Sequence, residues 1–226
     1  MKKKYFVRRS KLKKIIDTAQ RTGEEFAVMS RSRAMEYDQV LQRQRSLIYE
    51  TRNQLLDGEE LEIKKILQIA KSNIREFLDE KTNRNLPEIR RYILDNLSYR
   101  LDENLKVLPN YEKEALVRFL TDIVLDGLKM QEERLGSKEK MNDFMRIATL
   151  QAVDDAWVEQ VDYLQQLQYA VSGRSSAQRN PLYEYQRDAL ESLQRMEKTI
   201  RKNIIRNILL SDVQINKEQK LQILFP

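Results

Sequence analysis

Two residue types are missing altogether: of 226 positions, none is Cys and none is His. Without Cys there is no disulfide framework and no thiolate metal site, as expected of a reducing compartment. Without His, every triad or zinc site built on imidazole is excluded, and so is the commonest general base near neutral pH. Glycine and proline are scarce, at five and four residues. Gly23, Gly58, Gly127, Gly136 and Gly173 are scattered and none precedes Lys, so a G-x-x-x-x-G-K-S/T phosphate loop is not present. No apolar run approaches the roughly 20 residues that span a bilayer.

What the chain does have is charge, 41 Lys and Arg against 35 Asp and Glu, for a net +6. Residues 1–14, MKKKYFVRRSKLKK, hold eight of the basic groups and no acidic one, so the remainder sums to −2. A near-neutral, evenly charged remainder is not a phosphate-tracking groove, and no nucleic-acid partner is expected. The basic head reads as a solvated helix terminus or as a boundary with something upstream. It has no following apolar core of the signal-peptide kind, and it lacks an apolar face for firm membrane-surface binding. A soluble, cytosolic protein is expected.

Helical periodicity dominates and predicts an all-α fold. Leu41, Ile48 and Leu55 fall seven apart, with Val40 and Leu47 as a second row, on a long helix from about Glu24 to Asp57. Asp57-Gly58 punctuates it. Ile63, Ile66, Leu67, Ala70, Ile74 and Phe77 then mark an amphipathic helix ending near Asn83. Pro87 starts another, with Ile89, Tyr92, Ile93 and Leu97 on one face. Asn110 is placed to cap a fourth, striped by Leu116, Phe119, Leu120, Ile123 and Val124. These three read as a small packed bundle.

After Gly136-Ser137, one helix runs from about Lys138 to Val171 with Met141, Phe144, Met145, Ala148, Ala152, Ala156 and Val161. A polar loop, Gly173 to Arg179, leads to Asn180-Pro181, an N-cap with proline in the first helical position. A last helix carries Leu182, Tyr185, Ala189, Leu193, Met196, Ile200 and Ile204 to about Leu209. The pair predicts an antiparallel helical hairpin with an exposed tip. The residues beyond it predict a short extended or helical tail.

No group of residues assembles a base, a nucleophile or a metal. Asp154-Asp155 is an adjacent acidic pair, but neighbours on a helix point about 100° apart and do not readily share a metal or a proton. They read as a solvated edge or as partners for Arg on a neighbouring helix. Trp157, the single Trp, reads as a core or interface anchor. The polar tip, with Arg174, Gln178 and Arg179, is the candidate recognition surface, or else an ordinary helix–helix loop.

At two places the sequence resembles the SecA preprotein translocase motors. The first is Ala19-Gln20-Arg21, Arg31, Glu36-Tyr37-Asp38, Val40, Gln44-Arg45, Ile48-Tyr49, Arg52-Asn53 and Leu55-Leu56-Asp57, similar to the start of that family's helical scaffold. The second is Leu150-Gln151, Asp154, Trp157, Arg174, Ala177-Gln178, Asn180-Pro181 and Glu184-Tyr185, similar to its two-helix finger, with the family's ungapped spacing from Trp to Pro.

The resemblance implies a basic head and long scaffold helix over 1–57, a helical wing over 58–136, and a two-helix finger with a C-terminal scaffold tail over 137–226. It implies fingertip contact with a preprotein and a SecY-type channel through Arg174, Ser175, Ser176, Ala177, Gln178 and Arg179, and coupling along the scaffold through Arg31, Glu36, Tyr37 and Asp38. ATP and Mg²⁺ would belong to nucleotide-binding folds upstream and to no residue of this chain, which has no catalytic site of its own. Ser176 stands where the family's tip commonly has an aromatic residue, and the Cys/His zinc tail of many housekeeping relatives is absent. Both departures resemble an accessory, second SecA, for which glycosylated adhesins are a typical cargo. The implied location is cytoplasmic, peripheral to the inner face of the cell membrane. A free-standing helical adaptor without motor activity is the alternative that the seven-residue seam leaves open.

Overall fold

The computed structural model describes residues 9–57, 62–100, 112–172, 180–216 and 220–226. Among them six α-helices precede a small antiparallel sheet: α1 Arg9–Leu56, α2 Ile63–Asp79, α3 Leu86–Asn96, α4 Lys113–Leu135, α5 Lys138–Ser172, α6 Pro181–Leu210, β1 Asp212–Ile215 and β2 Leu221–Leu224. The fold is all-α in class, as the periodicity predicts. The chain forms two compact units, one of residues 1–45 with 164–190 and one of residues 46–163 with 191–226. Helices α1, α5 and α6 contribute residues to both.

In the first unit α1 packs Tyr37, Val40 and Leu41 against Leu164, Leu167 and Val171 of α5 and Leu182, Tyr185 and Ala189 of α6. The predicted seven-residue rows are only partly used. Across α1, Tyr37, Gln44, Ile48 and Leu55 are the buried positions, whereas Leu47 of the second row is exposed. At about 100° per residue, Leu47 turns away from the edge that Ile48 occupies.

The second unit holds the main core. From α2 come Ile66, Ala70, Ile74 and Leu78, an i, i+4 stripe that faces α4. Helix α4 brings Leu116, Leu120 and Val124; α5 brings Met141, Phe144, Met145 and Ala148; α6 brings Ile204, Ile205 and Ile208. Gly127 sits under Leu209, and a Cβ there would meet Leu209 Cδ2 at 2.8 Å, so glycine allows α4 and α6 to approach closely. A separate cluster in the same unit joins Ile48 to Val153, Ala156 and Met196, with Trp157 and Leu193 packed beside it.

Local signals end and begin the helices. Asn85 Oδ1 accepts from the Glu88 N–H at 3.0 Å, capping α3 with Pro87 in its first turn. Gly136 takes the left-handed conformation with φ 68°, and its N–H donates to the Glu132 carbonyl to close α4. Ser137 Oγ then accepts from Lys140 N–H at 3.2 Å and opens α5. Asn180 Oδ1 accepts from Leu182 N–H at 3.1 Å, with Pro181 first in α6.

Two boundaries differ from expectation. Helix α1 begins at Arg9, well before Glu24, because nothing from Arg9 to Gly23 breaks a helix and one exposed glycine costs only about 1 kcal/mol. The cap position of α4 is Glu112, without a side-chain cap bond, and Asn110 lies outside the described residues. The tail takes the extended one of its two expected forms: β1 pairs with β2 from Asp212↔Leu224 to Ile215↔Leu221. Alternating Val213 and Ile215 suit a strand, and Val213 is buried against the core.

Phe144 is fully buried, so Phe144→Ala is expected to cost about 3–5 kcal/mol in denaturant unfolding. Gly136→Ala is expected to cost about 1–2 kcal/mol, the penalty of a Cβ in the left-handed region. A Gly136→Ala chain as stable as the parent would mean that this turn relaxes out of that region.

Candidate functional site at the neck of the helical hairpin

The end of α5 and the start of α6 form the neck of the predicted hairpin, in the first unit. Its tip residues, Arg174, Ser175, Ser176, Ala177, Gln178 and Arg179, lie outside the described residues. What surrounds the neck is built by α1.

Tyr37 of α1 and Tyr185 of α6 are both buried, and their rings meet edge to face with centroids 4.8 Å apart and planes at 85°. That arrangement sets the positive edge of one ring on the negative face of the other. Burial, with the Asp38 carboxylate nearby and Tyr37 adding to it, pushes the Tyr185 phenol up to about 12. Two turns further along α1, buried Gln44 donates through Nε2 to the Ala189 carbonyl of α6 at 3.0 Å. A polar side chain in an apolar seam must find such a partner, and only one register of α1 against α6 supplies it.

Next to the tyrosines lies a cleft of about 580 Å³, lined by Phe26, Met29 and Arg33 of α1 and by Gln168, Ser172 and Asn180 of the neck. Glu36 and Tyr37 also belong to its α1 wall. Phe26 is 73% exposed and Met29 53%, which leaves adaptable apolar surface beside the polar residues that flank the tip. The four expected coupling residues are therefore placed differently. Tyr37 and Glu36 reach the neck, Asp38 acts on Tyr185 through its charge, and Arg31 is exposed with no ion-pair partner among the described residues.

The second unit joins the other halves of the two sequence motifs. Arg52 grips Asp154 with both ends of its guanidinium, Nε to Oδ1 at 2.9 Å and the second nitrogen to Oδ2 at 3.4 Å. The carboxylate raises the Arg52 pKa further above its ordinary value. Asp155 instead accepts from Gln151 one turn back. The adjacent acids thus point to different partners, an Arg on a neighbouring helix and a solvated edge. Trp157 is a packing anchor beside Ile48 and Met196.

The Tyr37–Tyr185 contact and the Gln44 bond escaped sequence reasoning. One signal was there: Tyr37 and Gln44 are seven apart, a row parallel to Leu41, Ile48 and Leu55. Among the described residues no three acidic side chains come together as a metal site requires, and no helix is long and apolar enough to cross a membrane.

An all-helical scaffold that holds the neck of a helical hairpin against one long helix is the class of structure these contacts define. The family described as "SecA Wing and Scaffold domain" matches residues 7–212, and the chain belongs to that family. Similar curated proteins include "Protein translocase subunit SecA 2" of Staphylococcus aureus strains N315 and Newman, each 34% identical over 216 residues. That alignment takes in 96% of this chain and 27% of each relative, so the chain spans about a quarter of the length of the relatives it matches. A SecA 2 relative agrees with the second-SecA resemblance read from the motifs.

Tyr185 tests the seam through its pH dependence. Its folded pKa is raised from the ordinary 10.0 to about 12, so the stability this neutral phenol contributes is complete below pH 10 and is lost as pH rises through about 12. Tyr185→Phe is expected to retain more of its stability across that interval than the parent chain, measured by denaturant unfolding at each pH. Equal alkaline losses in the two chains would place the buried titration elsewhere.

Proposed function

We propose that this chain is the scaffold, wing and finger portion of a SecA-type protein translocase. In this reading 1–57 is the scaffold helix with its basic head, 58–136 the wing, and 137–226 the finger with the C-terminal scaffold tail. The complete motor would burn ATP with Mg²⁺ in nucleotide-binding folds outside this sequence, at the cytoplasmic face of the membrane. The fingertip, Arg174 to Arg179, would enter a SecY-type channel and contact the preprotein. An accessory Sec system with a restricted cargo, such as glycosylated adhesins, is the version that the SecA 2 relatives favour.

The observation that carries the reading is the Tyr37–Tyr185 contact at the hairpin neck. A buried ring pair at interior density does not deform freely, so a shift of α1 is passed to the first turn of α6. That turn begins at Pro181, directly after the tip. A polar tip with donors and acceptors suits an unfolded substrate, which offers main-chain groups in every sequence.

With a photo-cross-linker at Ser176 in a full-length motor, capture of the channel or of a stalled preprotein is expected. Labelling confined to wing positions such as Leu94 would argue against the tip's role. The purified chain alone is expected to release no phosphate from ATP above a blank. Nucleotide-dependent release would move the chemistry into this sequence.

A further inference from the structure

Helix α6 ends at Leu210 without a local stop. From Leu182 to Phe225 the sequence holds no Gly and no Pro, the residues that ordinarily end a helix. The i to i+4 bonds run one residue past the helix, with the Ser211 N–H on the Asn207 carbonyl at 3.3 Å. The next acceptor in the series, the Ile208 carbonyl, is served from outside. Gln131 of α4 donates to it through Nε2 at 3.2 Å, and to the Ser211 carbonyl at 3.1 Å. Asp212, whose N–H would continue the helix, pairs with Leu224 in the sheet instead. The stop is therefore tertiary, supplied by another helix of the same unit.

Gln131, Asn207 and Ser211 are all buried, so the junction is closed to water. Asn207 Nδ2 donates to the Ala148 carbonyl of α5, and Ser211 Oγ to the Asn207 carbonyl. Gly127 lets Leu209 come close to α4. A buried polar network holds one arrangement only while its members keep their partners. Gln131 Oε1 has none among the described residues, so the docked arrangement already carries an unmet acceptor.

Either conformation suits residues 211–215. Val213 and Ile215 are β-branched and favour a strand, which buries Val213. At about 100° per residue, a continued helix would set Ile215 on the stripe of Ile204 and Ile208. Asn216 would follow it as a residue that tolerates the left-handed cap. A two-stranded sheet, for its part, is marginal without a helix to rest on. We propose that residues 211–215 are a helix–strand switch with Gln131 as its latch: a strand while α4 is docked, a continuation of α6 once α4 withdraws. The change leaves β2 unpaired and takes Leu221, Ile223 and Phe225 off the core against which they pack. Neither channel nor nucleotide enters, so the switch stands or falls separately from the motor reading.

The test is NMR of the isotope-labelled full chain, with the thermal midpoint of each variant recorded. In the parent, the Cα chemical shifts of residues 212–215 are expected at strand values. Gln131→Met keeps an unbranched side chain of similar length and removes the donor. The shifts are expected to move toward helical values, with amide exchange at Gln222 and Leu224 about fivefold faster, the equivalent of one lost hydrogen bond. Adding Asp212→Pro, which removes the N–H that the Ile208 carbonyl would receive, should return the shifts to extended values. Arg134→Ala loses only the exposed ion pair to Asp212 and should leave them unchanged. Asp212→Ala with Gln214→Ala alters exposed side chains alone and raises helix propensity, so the same movement toward helix is expected. That pair decides the matter where Gln131→Met does not fold. Strand shifts retained in Gln131→Met, coil values in place of helical ones, or an Ala pair that stays at strand values would overturn the proposal.

Discussion

The narrow apolar edge of α1 is the constraint on which the rest depends. A helix that exposes most of its surface cannot bury a stripe of one residue per turn against its own sequence neighbours. Tyr37 and Leu41 therefore wait for Leu164, Tyr185 and Ala189, and Ile48 waits for Val153, Ala156 and Met196. Each partner arrives more than a hundred residues later. The helical hairpin exists in this form because two helices side by side offer the groove that a single edge needs.

Apolar edges alone leave the register soft, since one Leu replaces another at little cost. Buried polar groups make it definite. Gln44 finds the Ala189 carbonyl, Gln160 donates to Ser192 Oγ at 2.7 Å, and Asn207 donates to the Ala148 carbonyl at 3.2 Å. Gln131 of α4 donates to the Ile208 carbonyl of α6 and to the Ser211 carbonyl just beyond it. Sliding any of these helices by one turn would strand a buried amide, which costs about 1–3 kcal/mol per group. Among the described residues four buried side-chain atoms have no partner, Arg90 Nε, Asn96 Oδ1, Gln131 Oε1 and Arg206 Nε, and each subtracts from that gain.

Helix identity was legible in the sequence because it rests on local chemistry. Asn180-Pro181, Asn85 with Pro87, and Gly136-Ser137 mark their boundaries through bonds that span four residues or fewer. The apolar stripes of α2, α4, α5 and α6 likewise predicted which faces turn inward, and Asp154 pairs with an Arg on a neighbouring helix and Trp157 packs as an anchor, each one of the readings offered. The start of α1 was less legible, since an exposed helix with no breaker carries no boundary signal. The tail stayed open between extended and helical for a related reason: a four-residue strand is too short for its period to stand out from a fading helix.

By itself, then, the sequence determined the all-helical class, the order of the helices, and two motifs similar to the SecA scaffold and finger. The tertiary structure decided which motif residues meet. It set Tyr37 on Tyr185 and Arg52 on Asp154, left Arg31 in solvent, and brought Phe77, Tyr92 and Asn96 to one cleft. The physical reason is range. Capping and amphipathic periodicity act within a turn or two and can be read along the chain, whereas a ring contact or an ion pair across a hundred residues exists only after packing has selected one register among many.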